Sequence, residues 1–571
     1  MRGEREGAAS PWAVPAGHAV DEPSPSQEME VGSVRSNLSG ILVGEFLGAH
    51  RQPSGARAEE GAPLLAEAPA PAHKFVQPSI SSMGNASGYG TIRPPSHTVW
   101  TEAAEEEEDE TAATERALFH QELRTIFRFT VPVAATHLLE LSLSVVSVLS
   151  LGHLGTVELA AASLAGMTAN VTGFSVLSGL ISALDTLLPA SYTRSPRMMG
   201  LWTQRVGVMI ALTLPWIILL WLNAERFLLL LGQEPAIAHK ARQFLSVLSL
   251  GLPGHAIFEL SRRFLQAQGL MHAPTVVLLV VSPINALANY LLVWGPPSIR
   301  FGFLGAPLAS AISMWLMALL CTLQCMLVSH GTWDGWSWQA WDRAGLKTCF
   351  RLGLAGLLSL ASEWWAWEIV GLVTAALGTT ALASQSVLLI TSSVTYQLPY
   401  GAAVAASVRV GNVLGAGHAL HARLASDAAI FVSVLIGLFN SSVVFFTRRH
   451  LGFLFSSDPG VVQMVASVLP IVAIFQCADC IAGIVGGILR GCGRQTLSAA
   501  INLTAYYVAG IPVSLFLAFG PPQLGLAGLW WGLTAALLYA AILSLWFVRR
   551  THWESIMHHV HQTMHAGTVE A

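Results

Sequence analysis

Long apolar runs dominate the chain after residue 120 and restrict what it can fold into. From about residue 130 onward, runs of roughly twenty apolar residues recur, each long enough to cross the ~30 Å hydrocarbon core of a bilayer as a helix. A backbone in lipid must satisfy its own hydrogen bonds, so these runs predict helices. We predict twelve spans, at approximately residues 130–151, 159–188, 204–223, 243–262, 274–294, 305–328, 353–376, 380–405, 425–446, 461–486, 497–519 and 525–547.

Composition also indicates a membrane protein. Only 11% of the 571 residues are charged, against about 25% in soluble chains. No basic patch with interleaved aromatic residues is present, so no nucleic-acid partner is expected. The six cysteines lie in or beside apolar runs without a second metal-like pair, so we predict neither a disulfide framework nor a metal site.

Charge and composition divide the chain into five segments. Residues 1–120 are rich in Pro, Ser, Ala, Gly and Glu and are predicted to form a disordered cytosolic N-terminal tail. An N-terminal six-helix lobe (121–330), an inter-lobe cytosolic linker (331–352), a C-terminal six-helix lobe (353–550) and a cytosolic C-terminal tail (551–571) follow. Fourteen basic residues fall in the short loops of one side and six on the other, which places both termini in the cytosol.

A short motif in the tail bears on location. Residues 60–65 read EGAPLL, which resembles an acidic dileucine sorting signal. The motif favours the membrane of a vacuole or another acidic compartment, and the plasma membrane is the alternative.

The chain repeats itself at a nearly constant interval. TIFR at 125–128 matches TCFR at 348–351, and LGT at 154–156 matches LGT at 377–379, both offset by 223 residues. GPP at 295–297 recurs at 520–522, offset by 225. Each unit holds six predicted helices, an even number, so the two lobes share one orientation in the membrane and are related by an axis along its normal. Two such bundles enclose a central cleft.

Two glutamates interrupt the seventh apolar run. Glu363 and Glu368 are the only charged residues between Leu352 and Leu377, and a charge near the bilayer centre costs roughly 2.5–3.5 kcal/mol on insertion scales. Trp364 and Trp367 lie beside them. Carboxylates near aromatic faces suit proton binding or the recognition of an organic cation. The alternative is a buried glutamate that only holds helices together.

Helical geometry separates the two glutamates. Five residues place Glu363 and Glu368 about 140° apart, so we expect Glu363 to face the cleft and Glu368 to be secondary. Asp479 is another acid within a predicted span. Two acids in one low-dielectric cavity favour uptake of a proton near neutral pH. The alternative for Asp479 is a structural hydrogen bond to Asn502 or Tyr506.

The first lobe holds its own candidates. His137 and Glu140 are three residues apart in the first helix. Because charge that faces lipid is penalised, we expect them to face the protein interior, as either a local hydrogen-bonded pair or a proton site. Glu259 lies one turn before Arg262 and Arg263, and we interpret it as part of a surface ion pair.

Several stretches resemble the multidrug and toxic compound extrusion (MATE) family in its eukaryotic, fungal-like branch. They occur in the family's order and are GHLG at 152–155, NVTG at 170–173, ALDTL at 183–187, EWWAWE at 363–368, LPYGAAVAASVRVGNVLGAG at 398–417 and GILRGCGRQ at 487–495. The resemblance implies an all-α polytopic fold of the MATE/MOP type, with two six-helix lobes alternately open to either side. It also places Asp479 across the cavity from Glu363.

The same resemblance implies a cation-coupled antiporter rather than an enzyme. We expect it to export organic cations, drugs or metabolites as a monomer in contact with membrane lipid. The coupling ion is expected to be H⁺, with Na⁺ as the alternative, and no other cofactor is expected. A lipid-linked sugar flippase of the same superfamily would need a cavity lined by arginines, and the sequence has no basic residue in mid-membrane. A non-transporting receptor remains a further alternative, whereas no HExxH or complete GxSxG constellation supports an intramembrane enzyme.

Overall fold

The computed structural model describes residues 97–328 and 331–566, with side chains at 112–328 and 331–564. Within these ranges all regular structure is helical. Eleven of the described helices are long and apolar enough to cross a membrane. The remaining predicted span forms a 37-residue helix, Thr379–Gly415, that carries more polar residues and is largely buried. The twelve-helix prediction is therefore confirmed.

The helices follow one another with short connections. The N-terminal lobe contains α1 (His97–Gly152), α2 (Thr156–Arg194), α3 (Met198–Leu222), α4 (Pro235–Ala267), α5 (His272–Trp294) and α6 (Gly302–Val328). The C-terminal lobe contains α7 (Arg343–Ala375), α8 (Thr379–Gly415), α9 (Ala419–Leu454), α10 (Pro459–Gly491), α11 (Gln495–Phe519) and α12 (Leu526–Arg549). A short helix, α13 (Trp553–Ala566), ends the described chain.

Three segment boundaries differ from the sequence prediction. Residues 97–120, assigned above to the disordered tail, belong to α1. α7 begins at Arg343, so residues 343–352 of the predicted linker are helical. Part of the predicted C-terminal tail forms α13. The sorting-like motif at 60–65 lies outside the described residues.

The internal repeat is visible at the helix ends. α4 and α10 both begin at a proline, Pro235 and Pro459, where the missing N–H costs nothing. Two residues after each helix lies a glycine with left-handed backbone, Gly269 with φ 80° and Gly493 with φ 71°. Glycine adopts this conformation without steric cost. The offset of 224 residues therefore marks equivalent structural positions.

The lobes meet along α1 and α2 on one side and α7 and α8 on the other. Glycines allow this close approach. A Cβ atom on Gly179 of α2 would lie 2.5 Å from the Cα of Leu357 in α7, and one on Gly401 of α8 would lie 2.8 Å from the nitrogen of Ala134 in α1. Because neither contact has room for a side chain, the two lobes are tightly packed here.

Candidate functional site

A cavity between the lobes collects polar residues from six helices. It lies mainly against α7, α8, α10 and α11, and α2 and α4 close it at the ends predicted to be cytosolic. Its polar lining consists of Ser178, Ser182, Asp185, Arg263, Ser359, Glu363, Tyr396, Tyr400, Asp479, Arg490, Gln495, Ser498, Asn502 and Tyr506.

The structure brings Glu363 and Asp479 to this one cavity. Asp479 is only 5% exposed. Among the described residues, none donates a hydrogen bond to either carboxyl group, and none forms an ion pair with one. The amide of Asn502 instead donates to the carbonyl and hydroxyl oxygens of Ser359, at 3.1 and 3.2 Å. The alternative role of Asp479, a structural hydrogen bond to Asn502 or Tyr506, is therefore not observed.

Other predicted residues of α7 point elsewhere. Glu368, Trp364 and Trp367 do not line the cavity, and the position of Glu368 fits its calculated angle from Glu363. Trp367 packs against Phe475 and Trp530, with ring centroids 5.5 Å apart in each case. These contacts make it part of the core of the C-terminal lobe.

Tyrosines rather than tryptophans supply the aromatic wall. Tyr396 and Tyr400 lie one turn apart on α8, with ring centroids 6.0 Å apart. Tyr506, named above as a possible hydrogen-bonding partner of Asp479, lies in a π-helical segment of α11, Thr504–Gly510, a feature that often occurs at functional sites. The sequence reasoning missed Tyr396 and Tyr400. Their four-residue spacing in a polar part of a spanning helix is the signal that would have found them.

His137 and Glu140 form the predicted pair, with Nδ1 of His137 2.8 Å from the carboxylate. Arg262 donates to both oxygens of Glu140 at 3.0 Å. The pair does not line the cavity, but the ring of His137 packs edge-on against Tyr400 at 4.4 Å. This contact joins the first-lobe pair to the cavity wall.

The surface ion pair predicted for Glu259 is wrong. Glu259 is 2% exposed and accepts from both Arg262 and Arg263. Glu259 does pair with the arginines one turn further along α4. Neighbouring helices, however, cover this part of α4 and exclude solvent. Because buried charges must be paired, these residues form a network inside the first lobe.

This network continues to the cavity. Nε of Arg263 donates to Asp185 at 2.9 Å, and Nε of Arg490 lies 3.7 Å from the other oxygen of Asp185. Arg490 belongs to α10, so its contact with Asp185 joins the two lobes. Both arginines line the cavity, which the sequence did not predict because they lie near the ends of their helices.

Further contacts join the lobes at the predicted cytosolic side. The hydroxyl of Thr186 donates to the carbonyl of Arg490 at 2.5 Å. The amide of Gln495 donates to the carbonyl of Ser182 at 2.9 Å. In this structure, therefore, α2 contacts the end of α10 and the start of α11 on the predicted cytosolic side of the cavity.

Comparison with known proteins identifies the family. The MatE family model matches residues 132–291 and 357–516, which is more than half of the chain. The chain belongs to the MATE family. The two matched segments are offset by 225 residues, so the internal repeat predicted from the sequence is the family's own.

MATE relatives cover most of the chain. An uncharacterised transporter of Schizosaccharomyces pombe is 38% identical over 511 residues, which is 88% of this chain and 92% of that protein. Human multidrug and toxin extrusion protein 1 is 33% identical over 439 residues, 76% of each chain. The crystal structure of the eukaryotic MATE transporter AtDTX14 superposes with a TM-score of 0.74 at 30% identity, covering 78% of this chain and all of that one. The protein is therefore an integral membrane transporter of the MATE family and not an enzyme.

Proposed function

We propose that this MATE protein is a secondary antiporter that exports organic cations, drugs or metabolites in exchange for protons. The supporting observation is that Glu363 and Asp479 share one cavity without a hydrogen-bonding partner among the described residues. A carboxyl group that is free of partners can hold either a proton or a cation. Competition between the two for the same charge couples their movements in opposite directions.

The surrounding wall supports a cationic substrate. Tyr396, Tyr400 and Tyr506 line the same cavity, and aromatic faces attract organic cations. Three carboxyl groups and two arginines line it in total, so it lacks the excess positive charge that the diphosphate of a lipid-linked sugar needs. We therefore favour antiport over the flippase alternative. We further propose that the protein acts as a monomer, with cytosolic termini, in an acidic-compartment or plasma membrane.

Transport into proteoliposomes tests this proposal. With an imposed pH gradient, each pH unit supplies about 1.4 kcal/mol, enough for roughly a tenfold gradient of a monovalent cation. Glu363→Gln mimics the protonated state, so we expect proton-driven uptake of a panel of fluorescent cations to fall at least about tenfold. Asp479→Asn should show the same loss.

Glu368→Gln is the matched control, because it removes a carboxylate from the same helix outside the cavity. We expect it to retain most transport, with a melting temperature similar to that of the other variants. If Glu363→Gln transports with unchanged pH dependence, the coupling acid lies elsewhere, and Glu140 becomes the next candidate. Uptake that follows a sodium gradient and ignores pH would replace the proton by Na⁺.

A further inference from the structure

One face of α10 carries an acid and an arginine with two glycines between them. Asp479 and Arg490 both line the cavity, and their separation of eleven residues brings them back to within about 20° of the same direction. Gly483 and Gly486 lie between them on this face and also line the cavity. Because glycine has no side chain, neighbouring groups approach this stretch closely, and a Cβ atom on Gly483 would lie 3.6 Å from the hydroxyl oxygen of Tyr396. A ligand between the two polar groups would therefore lie against the ring of Tyr396.

The guanidinium of Arg490 turns back toward the middle of the membrane. A Cβ atom on Gly486 would lie 3.7 Å from Nη1 of Arg490, so the guanidinium covers the preceding turn instead of extending past the helix end. Side chains on a helix lean toward its N-terminus in this way. Gly486 and Asp479 are two turns apart, roughly 10 Å along the axis. The positive and negative groups therefore lie at opposite ends of one short wall.

Arg490 keeps most of its hydrogen-bonding capacity. Its contact with Asp185 involves Nε at 3.7 Å, and no described residue accepts a hydrogen bond from Nη1 or Nη2. Arg263 differs, because it donates to both Asp185 and Glu259. The side chain of Arg490 is also 23% exposed, against 9% for Arg263. Of the two cavity arginines, Arg490 is therefore the more exposed and the less engaged by protein acceptors, which makes it the better donor to a ligand.

We propose that Arg490 binds the anionic group of an amphoteric substrate whose cationic group lies at Glu363 and Asp479. A carboxylate or sulfonate matches the planar fork of a guanidinium and accepts two parallel hydrogen bonds from it. The two charges of such a molecule are separated by up to roughly 10 Å, the length of the glycine-lined wall. The inference rests on the proposed export function and names its substrate class.

A pair of probes that differ by one carboxylate tests this assignment. We compare n-octyltrimethylammonium with the same molecule carrying a carboxylate at the end of its chain, and measure the KM of each in proteoliposomes. Arg490→Gln should raise the KM of the carboxylated probe about tenfold, the loss of roughly 1.4 kcal/mol expected for a charge-assisted hydrogen bond. The KM of the purely cationic probe should change less than about twofold. Arg490→Lys should give an intermediate value, because it keeps the charge and loses the fork.

Arg494→Gln is the control. Arg494 lies four residues further along, donates to Thr551 at 3.2 Å and does not line the cavity, so both probes should behave as with the wild type. Binding isotherms in lipid nanodiscs give the same comparison for any variant that loses turnover.

Three outcomes overturn the assignment. An equal loss for both probes would mean that Arg490 acts only through Asp185, by holding α2 and α10 together. Unchanged kinetics in Arg490→Gln would mean that Arg490 binds no substrate group. If the wild type carries the purely cationic probe but not the carboxylated one, amphoteric substrates of this length are excluded. If the wild type carries neither probe nor any other cation, the proposed export function itself fails.

Discussion

Glu259 illustrates how burial changes the role of a charged residue. Its spacing from Arg262 and Arg263 is that of many exposed helical pairs, which contribute little to stability. In the structure all three side chains are less than a tenth exposed. Removing one member of a buried pair leaves an uncompensated charge, and this costs far more than the loss of an exposed pair.

We expect Glu259→Gln to lower the free energy of unfolding by about 3 kcal/mol, since both arginines lose a partner. Glu225→Gln is the control, because Glu225 pairs with Arg242 where the two side chains are 31% and 37% exposed, so its loss should cost less than about 1 kcal/mol. Thermal unfolding in mild detergent measures both. Similar shifts for the two variants would contradict the importance of the buried network.

At the scale of helices, α13 bridges the two lobes. The hydroxyl of Ser191 in α2 donates to the sulfur of Met564 at 3.2 Å. His561 contacts the carbonyl of Leu414 in α8 at 3.0 Å and Arg194 in α2 at 3.1 Å. A carbonyl only accepts and a guanidinium only donates, so these partners require a neutral ring with the proton on Nε2.

Docking of α13 should weaken on acidification. Burial, followed by the charge of Arg194, holds the pKa of His561 below its usual value of 6.5, and His558 on the same helix acts in the same direction. The docked state therefore binds fewer protons than the undocked state. Its stability is complete above about pH 6.5 and falls as the pH drops below that value.

A spin label at Gln562→Cys reports this change, and its mobile fraction should grow between pH 7.5 and pH 5.5, a range of about one unit on either side of the usual histidine pKa. Adding His561→Gln should remove most of the pH dependence, because glutamine does not titrate. His559→Gln, at an exposed position of the same helix, should leave it intact. A pH-independent signal in the labelled wild type would exclude His561 as the cause.

At the scale of the whole molecule, the part of α1 that precedes the membrane ties the N-terminal lobe to the C-terminal lobe. Glu122 accepts two hydrogen bonds from Arg409 of α8, each 2.6 Å long. Both side chains are buried. Residues before Glu122 make fewer buried contacts, and residues 113–115 are exposed.

Deleting residues 1–115 should therefore leave a folded, monodisperse and transport-competent protein. Glu122→Gln should lower the free energy of unfolding by about 3 kcal/mol, because buried Arg409 loses its partner. Glu115→Gln, at an exposed position, should have little effect. Size-exclusion chromatography and thermal unfolding provide the measurements. A deletion that destabilises the protein as much as Glu122→Gln would show that the tail supports the fold.

The sequence by itself determined the helices, their pairing into two repeated lobes and the two acids of the cavity. These properties are local or periodic. Lipid requires each apolar run to satisfy its own hydrogen bonds. A charge within such a run is so costly that its presence alone indicates a candidate site, as for Glu363 and Asp479.

Only the tertiary structure decided which polar residues meet. Arg490 and Asp185 lie 305 residues apart in the chain, and their contact depends on how the two lobes pack. The burial of Glu259 and the folding of Trp367 into the core likewise depend on neighbouring helices. Spacing along one helix specifies the face on which a residue lies, whereas the element that covers that face is set by contacts between remote parts of the chain.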